Sequence, residues 1–344
     1  WLLTHPAGII PIVGTGKIER LKKAVQSFDI ELTREQWKAL RKTGIGGSDA
    51  GAVMGLSKYA SPLSLCMEKT GRLQDDDEGN DFTEFGNILE NPIRHEVFPH
   101  YYQKEADRRP VVLSPRFMWR STEDPYMLAN VDGWIIDEGR LCGLEIKTGS
   151  SYVLKDWGGK DGDEVPDSYY CQVQHYMATL GIDMWVVFGV IGNNPVLRFV
   201  PRNDVFITGM IEAERHIWDA VSTNDPLQFP APMGLDADMD ALMALSDPQS
   251  GDMVDIVDDL LKQYDNARED EKAAKEEKEY YKQQIIKQMG NAKYATDGRY
   301  KATFTKSNVS RLDTKAIKKD YPEIAEKYTT TSEAGRLMVK ELKE

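Results

Sequence analysis

Three residues near the middle of the chain carry its strongest chemical signal: Asp132 in ANVDGWI, then Glu145 and Lys147 in LCGLEIKT. Residues two apart on a strand share a face, so Glu145 and Lys147 point one way while Leu144 and Ile146 point into the core. A tight turn at Asp137-Glu138-Gly139 folds the preceding strand back as a hairpin and can bring the Asp132 carboxylate beside Glu145. Two neighbouring carboxylates repel, and each favours its protonated form unless a divalent cation neutralises them. Mg²⁺ takes hard oxygen ligands and keeps waters, so two carboxylates and a backbone carbonyl suffice, with Mn²⁺ as a substitute. The lysine could then orient or deprotonate an attacking water, or steady the charge on a pentavalent phosphorus. The metal lowers the pKa of that water. The D…ExK pattern is short, and a surface ion-pair ladder on a hairpin is the competing reading.

Other residues extend the triad. Glu90, in FGNILENPIRHE on an upstream helix, is a third carboxylate that could complete a two-metal site, or could pair with Arg94 at i+4. Gln172 and Tyr176 stand four apart in YYCQVQHYM, on the flank of a helix beside its core stripe. There they could contact substrate or a metal-bound water, or serve as hydrogen-bonded packing. Arg41 precedes IGGSDA, where a glycine turn, the Ser48 hydroxyl and a helix start could receive an anion such as a terminal phosphate. The same pattern is also ordinary helix punctuation.

The elements that must hold these residues follow from the pattern. Residues 33–43 read as a helix capped by Thr33 with Gln36 at the capping-box position. Ser48 is expected to cap a short helix through Met54, and Ser61-Pro62 to open another that ends at Gly71. A helix over 83–105 should kink or restart at Pro92. VVLSPRFMW, YMLANVDGWII and LCGLEIKT read as strands. A helix over 167–180 carries the stripe Tyr169, Val173, Met177 and Leu180. Two more strands (MWVVFGVI, PVLRFV) and a helix over 203–222 follow. Residues 226–251, rich in Pro, Asp and Met, read as a linker. Residues 252–344 read as a charged helical arm, with Leu260, Ala267, Ala274 and Tyr281 at heptad spacing, then a small hairpin and a basic tail. The arm is either a solvated helix or a coiled-coil hairpin.

The 344 residues are 41% hydrophobic, enough for one large core or two modest domains. The apolar runs are too short to cross a bilayer, and the first residues lack a signal-peptide pattern, so no membrane partner and a cytoplasmic location are expected. Cys66, Cys142 and Cys171 lie far apart without a CxxC, which argues against a zinc finger or thiol-ligated cluster. Taken alone, the net charge of −13 argues against a nucleic-acid binder, although a metal nuclease carries an acidic centre and clustering matters more than the sum. The segment after residue 300 is nevertheless locally basic, with Lys301, Lys306, Arg311, Lys315, Lys318 and Lys319.

The ordered set LRKTGIGGSDAGAVMGLSKYASPLSL, FGNILENPIRHEVF, ANVDGWI, LEIKT and YYCQVQHYMATLG resembles the YqaJ-like viral recombinase family, grouped with lambda-type exonucleases in the PD-(D/E)xK superfamily. The resemblance covers about residues 33–225, and it extends to the tail KATFTKSNVSRLDTKAIKKDYPEIAEKY. It implies an α/β fold, a mixed sheet flanked by helices with a restriction-endonuclease-like core and a C-terminal helical extension. It further implies metal ligands at Glu90, Asp132 and Glu145, a catalytic lysine at Lys147, a QxxxY motif at Gln172 and Tyr176, and a 5′-phosphate pair at Arg41 and Ser48. The implied activity is Mg²⁺-dependent exonuclease cleavage of DNA, 5′→3′ on linear duplexes, leaving 3′ strands for a phage-type single-strand annealing protein, with a homo-oligomeric ring in some members. The alternatives are an endonuclease, a flap or single-strand trimmer, or a catalytically inactive DNA-binding protein. The iron–sulfur branch of the superfamily needs four cysteines and is excluded. Residues 1–37 instead resemble the C-terminal end of an aldo-keto reductase. Residues 1–32 are expected to stand apart from the nuclease, without reductase activity, because a lone terminal βα unit cannot close a barrel.

Overall fold

The computed structural model describes residues 33–73, 81–115, 118–159, 162–246, 253–257, 259–308, 310–330 and 337–339. The expectation for residues 1–32 therefore lies outside the described residues. The chain divides into two compact units, residues 1–247 and 248–344.

In the first unit, helix α1 (Arg34–Arg41) opens with the expected reciprocal cap. Gln36 N donates to Thr33 Oγ1, and Thr33 N donates to Gln36 Oε1. The glycine run then behaves differently from expectation. Ile45–Gly46 form a short strand, β1, and helix α2 (Gly47–Val53) starts after Gly46, so Ser48 is not its cap. Gly46 is the cap, and the Asp49 carboxylate braces it by accepting from Gly46 N at 2.9 Å. Helix α3 (Pro62–Lys69) is capped by Ser61, and Gly71 follows its end with φ +74°. The kink expected at Pro92 is a π-helical turn, Ile93–Val97, joining α4 (Asp81–Pro92) to α5 (Phe98–Ala106). Neither Pro92 nor Pro99 can donate to a regular helical ladder, which favours such a turn.

The strands are β2 (Val111–Leu113), β3 (Trp119–Arg120), β4 (Met127–Ala129), β5 (Gly133–Asp137) and β6 (Arg140–Gly149). After a 3₁₀ turn at Ser151–Trp157 come α6 (Asp167–Leu180), β7 (Met184–Ile191), β8 (Asn194–Pro201), α7 (Asp204–Thr223) and α8 (Asp236–Leu245). The main sheet has the order β2-β5-β6-β7-β8, antiparallel except for the central β6–β7 pair. Glu138 and Gly139 adopt φ of 49° and 77°, the left-handed backbone that a two-residue hairpin between β5 and β6 requires. Helix α6 makes the crossover that a parallel β6–β7 pair needs.

Two expected strands are each split. VVLSPRFMW contributes β2 to the main sheet and β3 to a small sheet of order β1-β4-β3. YMLANVDGWII breaks between β4 and β5, so Asp132 lies just before β5 rather than on the hairpin strand. Pairing of β5 with β6 stops at Gly133–Leu144, and beyond it Ile146 N donates to Asp132 Oδ2 at 2.7 Å.

The sheet is buried on both faces. On one face Trp134, Trp185 and Val187 pack against Val173, Tyr176 and Met177 of α6. On the other, Ile135, Leu144, Ile146, Val186 and Phe188 pack against Ile93, Phe98 and Tyr102. A third cluster joins α2 and α3 to α7 and α8, with Leu63, Cys66, Ile217 and Ala241 among its members. Part of the expected linker is thus helix α8, held where Asp238 accepts from Met233 N at 2.7 Å and Leu235 N at 3.0 Å, and bonds the Ser61 hydroxyl. The acidic composition hid a residue, Ala241, that is fully buried.

The second unit contains α9 (Leu260–Met289), a hairpin of β9 (Tyr294–Thr296) and β10 (Lys301–Thr303), and the short helices α10 (Thr314–Asp320) and α11 (Pro322–Lys327). Helix α9 starts later than the expected residue 252, and Met289 is its buried residue. The solvated-helix reading fits it, since Leu260, Tyr264, Tyr281 and Ile285 are exposed. Among the described residues, no helix is long and apolar enough to cross a membrane.

Candidate active site

Strand β6 is central in the sheet, so every side chain it carries toward α6 must be buried or pass beneath that helix. Glu145 is only 1% exposed there. Its Oε1 accepts from Lys147 Nζ at 2.5 Å and from Gln172 Nε2 at 2.7 Å. Its Oε2 is buried with no hydrogen-bond partner among the described residues. Burial and the Asp132 charge push the Glu145 carboxyl up to about 8, against the pull of Lys147. Asp132 is also raised, by burial, although Lys147 and the Ile146 amide oppose the shift. Burial tends to lower the Lys147 ammonium, but the carboxylates of Glu145 and Asp132 outweigh it and raise the group. The ammonium also sits 4.7 Å from the centre of the Tyr169 ring.

Glu90, in the last turn of α4, lines the same cavity and pairs with the buried Arg94. Burial and the Asp132 charge raise its carboxyl, with Arg94 opposing. The i+4 pairing considered from the sequence is therefore present, and Glu90 still faces the cluster.

Gln172 and Tyr176 are buried rather than on an open flank, at 7% and 3% exposed. Gln172 Nε2 also lies 3.1 Å from Tyr176 Oη, and Tyr176 Oη donates to Asn130 O at 2.7 Å. The pair ties Glu145 on β6 to the break that carries Asp132, so the two carboxylates are fixed relative to each other. Tyr176 fits because residue 47 has no side chain. A Cβ at Gly47 would lie 2.4 Å from Tyr176 Cε1.

Arg41 and Ser48, seven residues apart, do meet: Arg41 Nη2 donates to Ser48 Oγ at 3.2 Å. The same nitrogen lies 3.2 Å from Asp49 Oδ1, and Trp37 lies under the guanidinium at 5.1 Å. Asp49 Oδ2 accepts from Lys69 Nζ at 2.6 Å, and Lys69 also donates to Arg41 O at 3.1 Å. Burial would raise the Asp49 carboxyl, but Lys69 and Arg41 hold it below its ordinary value. Asp49, Lys69 and Trp37 were not singled out from the sequence. Asp49 could have been read as the acid three residues after a cap, whereas Lys69 looks like any lysine at a helix end.

Arg41, Ser48, Glu90, Asp132, Glu145, Lys147, Gln172 and Tyr176 all line one cavity of about 510 Å³. Among the described residues, no three His, Cys, Asp or Glu side chains converge closely enough to hold a metal in this arrangement. The donor set nevertheless fits a divalent cation. Among the described residues Glu145 Oε2 is an orphaned buried oxygen, and burial raises the carboxyls of Glu90, Asp132 and Glu145, whose charged forms a cation would stabilise. Asp132 and Glu145 supply hard oxygens directly, while Glu90 would have to exchange Arg94 for the ion.

Residues 36–183 match the model of the YqaJ-like viral recombinase domain. The uncharacterized protein YqaJ of Bacillus subtilis (strain 168) is 30% identical over 322 residues, covering 91% of this chain and 96% of that protein. An alkaline exonuclease (LHK-Exo) from Laribacter hongkongensis overlaps 55% of this chain and 93% of its own, at 19% identity and a TM-score of 0.43. A phage related exonuclease from Haemophilus somnus 129PT overlaps 55% of this chain and 100% of its own, at 13% identity and a TM-score of 0.35. A separate short likeness links the chain to the oxidoreductase YdhF of Escherichia coli (strain K12), 44% identical over 46 residues, of which the chain spans only 15%. The length and identity of the match to YqaJ, together with the domain match, settle the family: the chain belongs to the YqaJ-like viral recombinases.

Proposed function

We propose that this protein is a metal-dependent deoxyribonuclease, an exonuclease that hydrolyses DNA phosphodiesters 5′→3′ on linear duplexes during phage-type recombination. The observation that carries this reading is the single cavity that joins the Asp132–Glu145–Lys147 cluster to the Arg41–Ser48 pair. Its volume of about 510 Å³ is enough to hold a nucleotide unit.

In this reading Asp132 and Glu145 hold Mg²⁺, with Glu90 joining them after releasing Arg94. The bound ion would neutralise the phosphate and lower the pKa of the attacking water. Lys147 stands beside Glu145 at 2.5 Å, where its ammonium can orient that water and offset charge developing on the phosphoryl oxygens. Gln172 fixes the Glu145 carboxylate through Oε1 and leaves Oε2 for the ion. Tyr176 locks Gln172 and Asn130 in place. Arg41 and the Ser48 hydroxyl receive the 5′-phosphate of the strand end, a group that only a terminus offers. The 3′ strand left behind would pass to a single-strand annealing protein.

The test is digestion of linear duplexes bearing 5′-phosphate or 5′-hydroxyl ends, beside a closed circular duplex, with Mg²⁺ or EDTA. The expected result is rapid loss of the 5′-phosphorylated duplex in Mg²⁺ alone, slower loss of the 5′-hydroxyl duplex, and an intact circle. Cutting of the circle at the linear rate would overturn the exonuclease reading, and equal cutting in EDTA would overturn the metal.

A further inference from the structure

One stretch of the second unit has the opposite charge to the chain as a whole. Over residues 293–321 the chain carries Lys293, Arg299, Lys301, Lys306, Arg311, Lys315, Lys318 and Lys319 against Asp297, Asp313 and Asp320. That balance of eight against three is net positive, in a chain whose sum is −13. Two of the three acids are committed to backbone amides. Asp297 accepts from Arg299 N and Tyr300 N at 2.9 and 2.6 Å in the β9–β10 turn, and Asp313 accepts from Lys315 N and Ala316 N at 3.1 and 3.0 Å at the start of α10. The eight cations are exposed on this surface.

The hairpin adds aromatic rings to that charge. Tyr294 is 53% exposed and Tyr300 65% exposed, so neither ring serves as core. Lys301 Nζ lies 4.6 Å and Lys293 Nζ 5.4 Å from the Tyr294 ring centre, and Arg299 lies 5.2 Å from Tyr300. Both rings line a cavity of about 450 Å³ closed by Ile285 and Met289 at the end of α9. A concave site with tyrosine faces and a rim of cations matches unpaired bases joined by phosphates. The bases stack on the rings, and the lysines and arginine neutralise the backbone. A duplex hides its base faces, so the rings discriminate in favour of an unpaired strand.

We propose that the β9–β10 hairpin of the second unit, with Tyr294 and Tyr300 as stacking platforms and Lys293, Arg299 and Lys301 as phosphate contacts, is a binding site for single-stranded DNA. It lies outside residues 36–183 that match the family domain, and it goes beyond the hydrolysis proposed above without depending on it.

The experiment measures binding of the full chain to a fluorescein-labelled oligothymidylate of about 30 nucleotides, by anisotropy across a salt series in EDTA. EDTA removes any metal-dependent cleavage, so the result does not depend on the active site being correct. Lys293→Gln/Arg299→Gln/Lys301→Gln should weaken binding by about tenfold or more and lower the slope of log affinity against log salt by about 2, from roughly 0.7 per neutralised contact. Tyr294→Ala/Tyr300→Ala should weaken binding with the slope unchanged, and Tyr294→Trp/Tyr300→Trp should restore it. The exposed charge variant needs no refolding of the hairpin, so it decides the question even if the alanine pair disturbs the turn. Binding equal to wild type in both the charge and alanine variants would overturn the site, as would a wild-type chain that does not bind the oligonucleotide. The first of those outcomes would assign the aromatic cavity to a protein partner instead. An active nuclease with an inert hairpin would refute this inference alone.

Discussion

Replacing Asp49 by asparagine should be one of the most damaging single changes in the first unit, although the two side chains have almost the same shape. The Lys69 side chain is 1% exposed, and its Nζ has Asp49 Oδ2 at 2.6 Å and Arg41 O at 3.1 Å as partners. The substituted amide could keep one acceptor for Gly46 N, but it would leave the buried ammonium without a counterion. Breaking a buried pair in this way costs about 3–5 kcal/mol. Lys69→Met is milder, because Asp49 keeps Arg41 at 3.2 Å and the Gly46 amide at 2.9 Å; about 1–3 kcal/mol is expected. The double variant Asp49→Asn/Lys69→Met removes both charges and should be more stable than Asp49→Asn alone. All seven tryptophans lie before residue 248, so their fluorescence in urea reads the first unit selectively. At about 2–4 °C per kcal/mol for a unit of this size, Asp49→Asn should also lower Tm by roughly 6–20 °C. An Asp49→Asn protein within about 1 kcal/mol of wild type, or two single effects that simply add, would refute the buried-pair argument.

Two further outcomes follow from the packing around α6. Gly47→Ala places a methyl 2.4 Å from Tyr176 Cε1, so Tyr176 must shift and loosen its hold on Gln172 and Asn130. A loss of about 1–3 kcal/mol in urea unfolding is expected, with slower DNA hydrolysis, and wild-type stability would contradict the contact. His175 is fully buried, with Nδ1 2.7 Å from Glu214 Oε1 and Nε2 2.9 Å from Leu128 O. Burial pulls its pKa down, but Glu214 and the Leu128 carbonyl outweigh burial and raise it. A raised folded pKa stabilises fully below the unfolded value near 6.5 and loses that contribution as pH rises through the folded pKa. Unfolding free energy should therefore decline on the alkaline side of 6.5, and His175→Gln should flatten that decline. An unchanged alkaline slope in the variant would remove His175 as its source.

Much of this was legible in the sequence because it is local. The Thr33–Gln36 cap, the Glu138-Gly139 turn and the stripe Val173–Met177 each announce themselves within a few residues, and the structure contains all three. Glu145 and Lys147 read correctly as neighbours on one strand face, since β6 alternates regularly. What escaped depends on contacts between distant segments. Asp132 sits off its strand because Ile146 N, fourteen residues later, takes its carboxylate. The cap falls at Gly46 rather than Ser48, and the Asp49 carboxylate that braces it is held by Lys69 on another helix. Gln172 and Tyr176 appeared to be flank residues because periodicity cannot show that a buried carboxylate from β6 meets the helix side. Residues 236–245 carry a linker-like composition, and only docking on α3 through Asp238 and Ala241 makes them part of the core.

The central claim is that the Asp132–Glu145–Lys147 cluster cuts DNA, and one paired measurement tests it most directly. Nucleotide release from a 5′-phosphorylated linear duplex in Mg²⁺ is compared between wild type and Lys147→Ala, with duplex binding measured alongside. The Lys147 side chain is 19% exposed, and a urea unfolding curve of the variant, read beside its duplex binding, separates lost chemistry from lost fold. Hydrolysis should fall by about 10²–10⁴-fold while duplex affinity changes only a few-fold. A Lys147→Ala protein that releases nucleotides at the wild-type rate would contradict the account.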